Sequence, residues 1–302
     1  MASRFVSWPS VAGVVFLGIG LFVVRRNLLL ARGWDKLLAL GCVFVAAPLA
    51  VFGAEHLSAA HALMQLVPAW MPVRLFWAYF VGVALLAAAV SLTLRKQLRW
   101  SATLLAIMFF LFVVLIHLPN LAQHPRDRIF WAVALRDLAF AGGASALAGT
   151  QKQDWLIHRP ERLITIGKMC IGLPLIFFGI EHFLHPEFAP GVPLEKLTPA
   201  WVPFPLAWAY LSGAILFASG LAIILNEYAR KAATSVGMLM TLLTLFLYLP
   251  ILVMTTDAAQ IMVGVNYVAD TLLFGGAVLL LAEALPRERS AKSEPVASRS
   301  AS

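Results

Sequence analysis

The sequence predicts an all-helical, polytopic integral membrane protein: two parallel copies of a four-helix unit behind one leading helix. Three observations carry that prediction. The 302-residue chain is 61% hydrophobic and 13% charged, with a mean hydropathy of +0.85, where a soluble domain is about half apolar and about a quarter charged. A soluble globule of this length could not hide so much apolar surface, so its solvent must be lipid. The apolar residues are gathered into about nine runs close to the ~20 residues that cross a bilayer. Finally, the second half of the chain repeats the first.

The runs fall, in order, over 8–25, 36–56, 73–94, 100–118, 129–149, 162–183, 204–225, 231–253 and 263–284. Trp8-Pro9-Ser10 opens the first, with Pro near the first turn of the helix. Only Arg4 precedes that run, whereas Arg25 and Arg26 follow it. This flanking favours a retained anchor with its N-terminus outside over a cleaved signal peptide. The organisation expected is an anchor helix and basic loop over 1–35, a first unit over 36–150 and a second over 151–285. A polar, low-complexity tail over 286–302 is expected to be disordered and cytoplasmic.

The basic residues set the orientation. One side of the layout holds Arg25, Arg26, Arg32 and Lys36; Arg95, Lys96 and Arg99; Lys152, Arg159 and Arg162; Arg230 and Lys231; and Arg287, Arg289, Lys292 and Arg299. The other side holds Arg4, Arg74, Arg126, Arg128 and Lys196. By the positive-inside rule the richer side, with the C-terminus, is cytoplasmic. Because these charges sit in short loops between spans, the net charge of +8 describes membrane topology and excludes a nucleic-acid partner. Cys42 and Cys170 lie in different runs out of register with the repeat, so they read as small helix-packing thiols rather than a redox pair.

The repeat is clearest at Phe52-Gly53-Ala54-Glu55-His56, which returns as Phe178-Gly179-Ile180-Glu181-His182, with Pro48 answered by Pro174, all 126 residues on. Pro68-Ala69-Trp70-Met71-Pro72 returns as Pro199-Ala200-Trp201-Val202-Pro203, and Trp77-Ala78-Tyr79 as Trp208-Ala209-Tyr210, now 131 residues on. The second copy has therefore gained five residues between His182 and Pro199. Asp137 before Gly142-Gly143 is matched with Asp270 before Gly275-Gly276, at 133. Four helices return the chain to the same side, so the copies should be related by an axis along the membrane normal.

The polar residues inside this apolar chain are the candidates for function. Glu55, His56, Glu181 and His182 end their spans at the outer face, with His117, Asn120 and Tyr248. Asp137 and Asp270 lie about eight residues inward, roughly 12 Å at 1.5 Å per residue. An Asp there costs about 2–3 kcal/mol by insertion scales, so it should face protein or a wet cavity. The expectation is that Glu181, His182 and Asp270, with Trp201 and Tyr210, converge on an outer pocket. Glu55, His56, Asp137, Trp70 and Tyr79 would form its twin, with His117 beside them. A histidine there could pass protons, and aromatic rings would suit a flat lipophilic head. The plainer alternatives are interfacial polarity for the Glu-His pairs, interfacial anchoring for the tryptophans and a structural hydrogen bond for each Asp. Neighbouring helix residues point about 100° apart, so Glu55 and His56 cannot chelate one ion, and no metal site is expected. No Walker loop, dinucleotide fingerprint, nucleophile elbow or haem motif is present.

Gly179-Ile180-Glu181-His182-Phe183, Pro199-Ala200-Trp201-Val202-Pro203, Tyr210-Leu211-Ser212-Gly213 and the basic turn Arg230-Lys231 resemble the DoxX-like family of small bacterial membrane proteins. The resemblance spans about 36–285 and implies a fused pair of the family's four-helix unit in a bacterial inner membrane. It implies an accessory or binding subunit of a membrane redox system more than a stand-alone enzyme, with a quinone or other small lipophile as ligand and a redox enzyme subunit as partner. Relatives often carry Glu three residues after the glycine of their second helix, where this chain has Leu85 and Leu216, so no catalytic residue is carried over. The alternatives are a transporter working at the repeat interface and a structural partner with no ligand.

Overall fold

Nine helices long and apolar enough to cross a membrane are present among the described residues of the computed structural model, which are 7–151, 160–192, 194 and 198–287. In order they are α1 (Trp8–Leu30), α2 (Asp35–Ser58), α3 (Arg74–Leu94), α4 (Leu98–Gln123), α5 (Arg128–Thr150), α6 (Pro160–Leu184), α7 (Pro205–Leu225), α8 (Ala229–Met254) and α9 (Ala258–Ala284). The protein is thus an all-helical, multi-pass membrane protein. The expected disordered tail lies almost wholly outside the described residues, as do Arg4, Lys152, Arg159, Lys196, Arg289, Lys292 and Arg299.

Local chemistry sets the helix ends. The Ser7 hydroxyl accepts from the Ser10 amide at the start of α1, and Asp127 accepts from the Ile129 amide at 2.9 Å at the start of α5. Elsewhere the chain turns through left-handed backbone that side chains rarely adopt. These positions come in pairs: Val73 (φ 51°) with Phe204 (51°), Arg95 (54°) with Asn226 (62°), and Gln97 (56°) with Tyr228 (50°). Each pair is 131 residues apart, so the two copies share their strained corners as well as their apolar runs. Pro48 and Pro174 are both absorbed inside continuous helix, and Val113–His117 in α4 and Thr244–Tyr248 in α8 each form a wide π turn.

The two copies close through each other. Each helix from α2 to α9 packs on the next, α9 packs back on α2, and α5 crosses to α9 in the middle. The first helix of each copy therefore leans on the last helix of the other copy. With lipid outside, small residues that let backbones approach drive such packing. A Cβ on Gly143 would lie 2.5 Å from the Cβ of Ala277, so any side chain there would separate α5 from α9. The leading helix α1 packs on α2 in the same way, with Gly13 against Val51 and Gly20 against Val43.

These approaches correct the register of the last helices. A Cβ on Gly142 would meet Cys170 and Ile171, and one on Gly276 would meet Phe44 and Val45, the residues that stand 126 earlier. In space Gly142 therefore corresponds to Gly276, Phe140 to Phe274 and Arg136 to Asp270, an offset of 134. The sequence match of Asp137 with Asp270 aligned two acids that occupy neighbouring rather than equivalent positions, which on a helix turns them about 100° apart.

Candidate functional site

The polar residues of the first copy surround one cavity. Its volume is about 580 Å³, within the range of small-molecule sites. It lies between α3, α4, α5 and α9, at the end of the molecule that carries the Glu-His pairs. Aromatic and aliphatic side chains make its walls, among them Trp77, Phe109, Phe112 and Phe140. The Trp77 indole donates to the Pro72 carbonyl at 3.0 Å, which fixes its ring in the wall. Phe80 and Leu111 line the cavity and are about half exposed on the lipid-facing surface between α3 and α4.

Four ionisable side chains meet at the inner part of that cavity. His117 Nε2 donates to Asp137 Oδ2 at 2.8 Å. Arg136 reaches Asp137 Oδ1 at 3.3 Å and Asp270 Oδ2 at 2.8 Å. All four are largely buried, with side-chain exposures of 9% to 17%. The physical requirement is met: an acid inside a membrane protein is tolerable when it is paired. The guanidinium sits between two carboxylates from different copies, so this joint also ties the halves together. Asp270 therefore belongs to the first-copy site and not to a site with Glu181 and His182.

His56 and His117 each have one ring nitrogen bonded within the protein. His56 Nδ1–H donates to the Phe52 carbonyl at 2.8 Å, which leaves a lone pair on Nε2. Both histidines line the cavity, as does Asn120, one turn beyond His117. Glu55 stands outside the wall and accepts from Asn266 Nδ2 of α9 at 3.3 Å.

The second copy does not form a twin of this cavity from the expected residues. Glu181 pairs with Arg128 Nε at 2.6 Å, reaching the other copy's last helix as Glu55 does. His182 is 1% exposed; its Nδ1–H donates to the Phe178 carbonyl at 2.6 Å and its Nε2 accepts from the Gly191 amide at 3.0 Å. The loop after α6 turns inward: Ala189 is fully buried, and the Tyr248 hydroxyl donates to the Pro190 carbonyl at 2.8 Å. The Arg128 guanidinium stacks on Phe188 of the same loop, 3.8 Å from the ring centre. This is the segment that the five extra residues lengthen.

The position of that loop matches the first-copy cavity residue for residue. A Cβ on Gly191 would meet Leu243, Met240 and Tyr248. Their counterparts 131 residues earlier are Phe112, Phe109 and His117, and all three line the cavity. Gly191 itself has φ +111°, which only glycine adopts without strain. The second copy is thus filled by its own backbone where the first is open.

The four expected aromatic partners are elsewhere. Trp70 and Trp201 are 69% and 45% exposed, as interfacial anchors are. Tyr79 is on the surface, and Tyr210 stacks on Phe183 with ring centres 5.9 Å apart. None of the four lines the cavity. The tryptophan that does is Trp77, two residues before Tyr79, because one face of α3 looks inward and the other to lipid.

The described residues form a multi-pass membrane protein with a polar-ended cavity in its first half. A family model described as a domain of unknown function (DUF8561) matches residues 45–141. That stretch contains His56, His117, Arg136 and Asp137 and stops before the second copy. No curated protein and no solved structure matches the chain.

Proposed function

We propose that this protein binds a small lipophile of quinone type in its first-half cavity, as a binding or accessory component of a membrane redox system. The cavity itself carries the reading. It has the size of a small-molecule site, apolar walls, a flat aromatic residue at Trp77, and polar groups confined to one region. Its lipid-side residues Phe80 and Leu111 suit a ligand that arrives through the bilayer. Trp77, Phe109 and Phe112 would hold a flat ring, and His56, His117 and Asn120 its polar atoms. A bound quinone would supply electron transfer, and the protein's part would be to orient the head and exclude water. The redox assignment rests on the DoxX-like motifs. The charge asymmetry of the loops supports a cavity mouth at the outer face of a bacterial inner membrane.

Protein purified from its host membranes should release quinone or another lipophile into organic solvent. Val81→Trp, which fills the cavity from α3, should abolish that release at unchanged protein yield. Equal release from both proteins would contradict the reading. A reporter active only outside should work when inserted at Arg126 and stay dark after Ser302; the reverse would invert the orientation.

One observation favours a second reading. The Arg136–Asp270 pair lies at the interface between repeats, where transporters built from repeats place their sites. Solute exchange by liposomes that depends on Arg136 would replace the lipophile reading.

A further inference from the structure

The filled second copy indicates what the open first copy takes. One peptide group, Pro190–Gly191, bridges two side chains there: its carbonyl accepts from Tyr248 and its amide donates to His182 Nε2. The counterparts of those side chains are His117 and His56, which line the cavity.

The correspondence is geometric as well as sequential. A Cβ on Gly82 would meet the His56 Cβ at 2.9 Å, and one on Gly213 would meet the His182 Cβ at 2.7 Å. Each histidine sends its Nδ1–H to the carbonyl four residues earlier. His117 and Tyr248 each close a π turn before Leu-Pro. Gly191 can donate to His182 only because that ring presents a lone pair at Nε2. His56, held by the same bond, presents the same lone pair to the cavity, and no described residue donates to it.

We infer that the cavity selects a lipophile whose head donates a hydrogen bond to His56 Nε2, as the Gly191 amide donates to His182 Nε2 in the other half. A secondary amide or a hydroxyl on an apolar chain fits this pattern. A fully oxidised quinone, which only accepts, does not, so the quinol is the form retained. This rests on the lipophile reading above and specifies its head group.

The test compares two probes on the purified full-length protein in nanodiscs, N-methyldecanamide and N,N-dimethyldecanamide, in the second of which a methyl group replaces the donor hydrogen. A buried acceptor left without its partner weakens binding substantially, so the dimethyl amide should bind about tenfold more weakly or worse. His56→Leu should bring the two amides to similar affinity, and Val81→Trp should block both. Equal affinities on the wild-type protein, with Val81→Trp still blocking, would overturn the donor inference and leave the lipophile reading standing. Binding of neither amide above the Val81→Trp background would overturn both. The wild-type comparison needs no variant to fold. His117→Tyr, which installs the second copy's own residue, should keep the preference for the N-methyl amide.

Discussion

The two halves of this molecule solve the same packing problem in opposite ways. Both place a Glu-His pair at the end of their first helix, a π turn in their third, and a ring of apolar side chains between. In the second half Ala189, Pro190 and Gly191 occupy that ring, with the Pro190 carbonyl bonded to Tyr248 and the Gly191 amide to His182. In the first half the loop is five residues shorter, the ring encloses about 580 Å³, and His56 keeps a lone pair. The difference teaches that the histidine is not a site by itself. His182 is a structural acceptor and His56 a candidate ligand-binding group, although they sit in near-identical local sequence and make the same bond to the helix.

The comparison can be broken most forcefully at its joint. Arg136→Leu leaves Asp137 and Asp270 buried without their shared cation, and breaking such a pair costs about 3–5 kcal/mol. The expected outcome is a large loss of folded protein in detergent, read by size-exclusion after heating. Arg136→Leu with Asp270→Leu should be less destabilised than the single variant. Additive losses would mean that the two residues are not coupled.

Gly191→Ala sharpens the contrast instead. It imposes strain at φ +111° and pushes against Leu243 at 3.3 Å, for an expected loss of about 1–3 kcal/mol. First-half lipophile retention should not change, because the loop belongs to the other half. Tyr248→Phe should cost about 1 kcal/mol through the unmet Pro190 carbonyl, again with retention intact in extracts. The smallest effects are expected at the surface. Trp70→Ala and Trp201→Ala should each stay within about 0.5 kcal/mol, and a strong loss of ligand in either would restore them to the site.

Much of the fold was legible because lipid imposes a coarse rule: a backbone in hydrocarbon must satisfy itself, so apolar runs become helices. The duplicated Glu-His and Pro-Ala-Trp-x-Pro stretches gave the repeat. The paired left-handed corners, such as Val73 with Phe204, carry no comparable sequence mark. The site was only partly legible. His56, His117, Asp137 and Asp270 stand out in the sequence as polar residues in or at the end of apolar runs, and all four line the cavity. The grouping was not legible, because matching Asp137 with Asp270 by letter missed a one-residue shift that the Gly142–Cys170 and Gly276–Phe44 approaches reveal. Arg136, next to Asp137 in the chain, is the spatial counterpart of Asp270 and also its ion-pair partner. The five-residue insertion was visible as a length difference, yet its inward path depends on Tyr248, His182 and the conformation of Gly191 acting together. Trp77 was hidden beside Tyr79 because period alone does not say which face of α3 meets lipid.

The most direct measurement is an experimental density map of the protein purified from its host membranes. The account predicts non-protein density in the first half reaching from Trp77 to His56 and His117. In the second half the Pro190–Gly191 peptide should lie between His182 and Tyr248, with no ligand. A first-half cavity filled by its own loop over 57–67, or non-protein density between His182 and Tyr248, would contradict it.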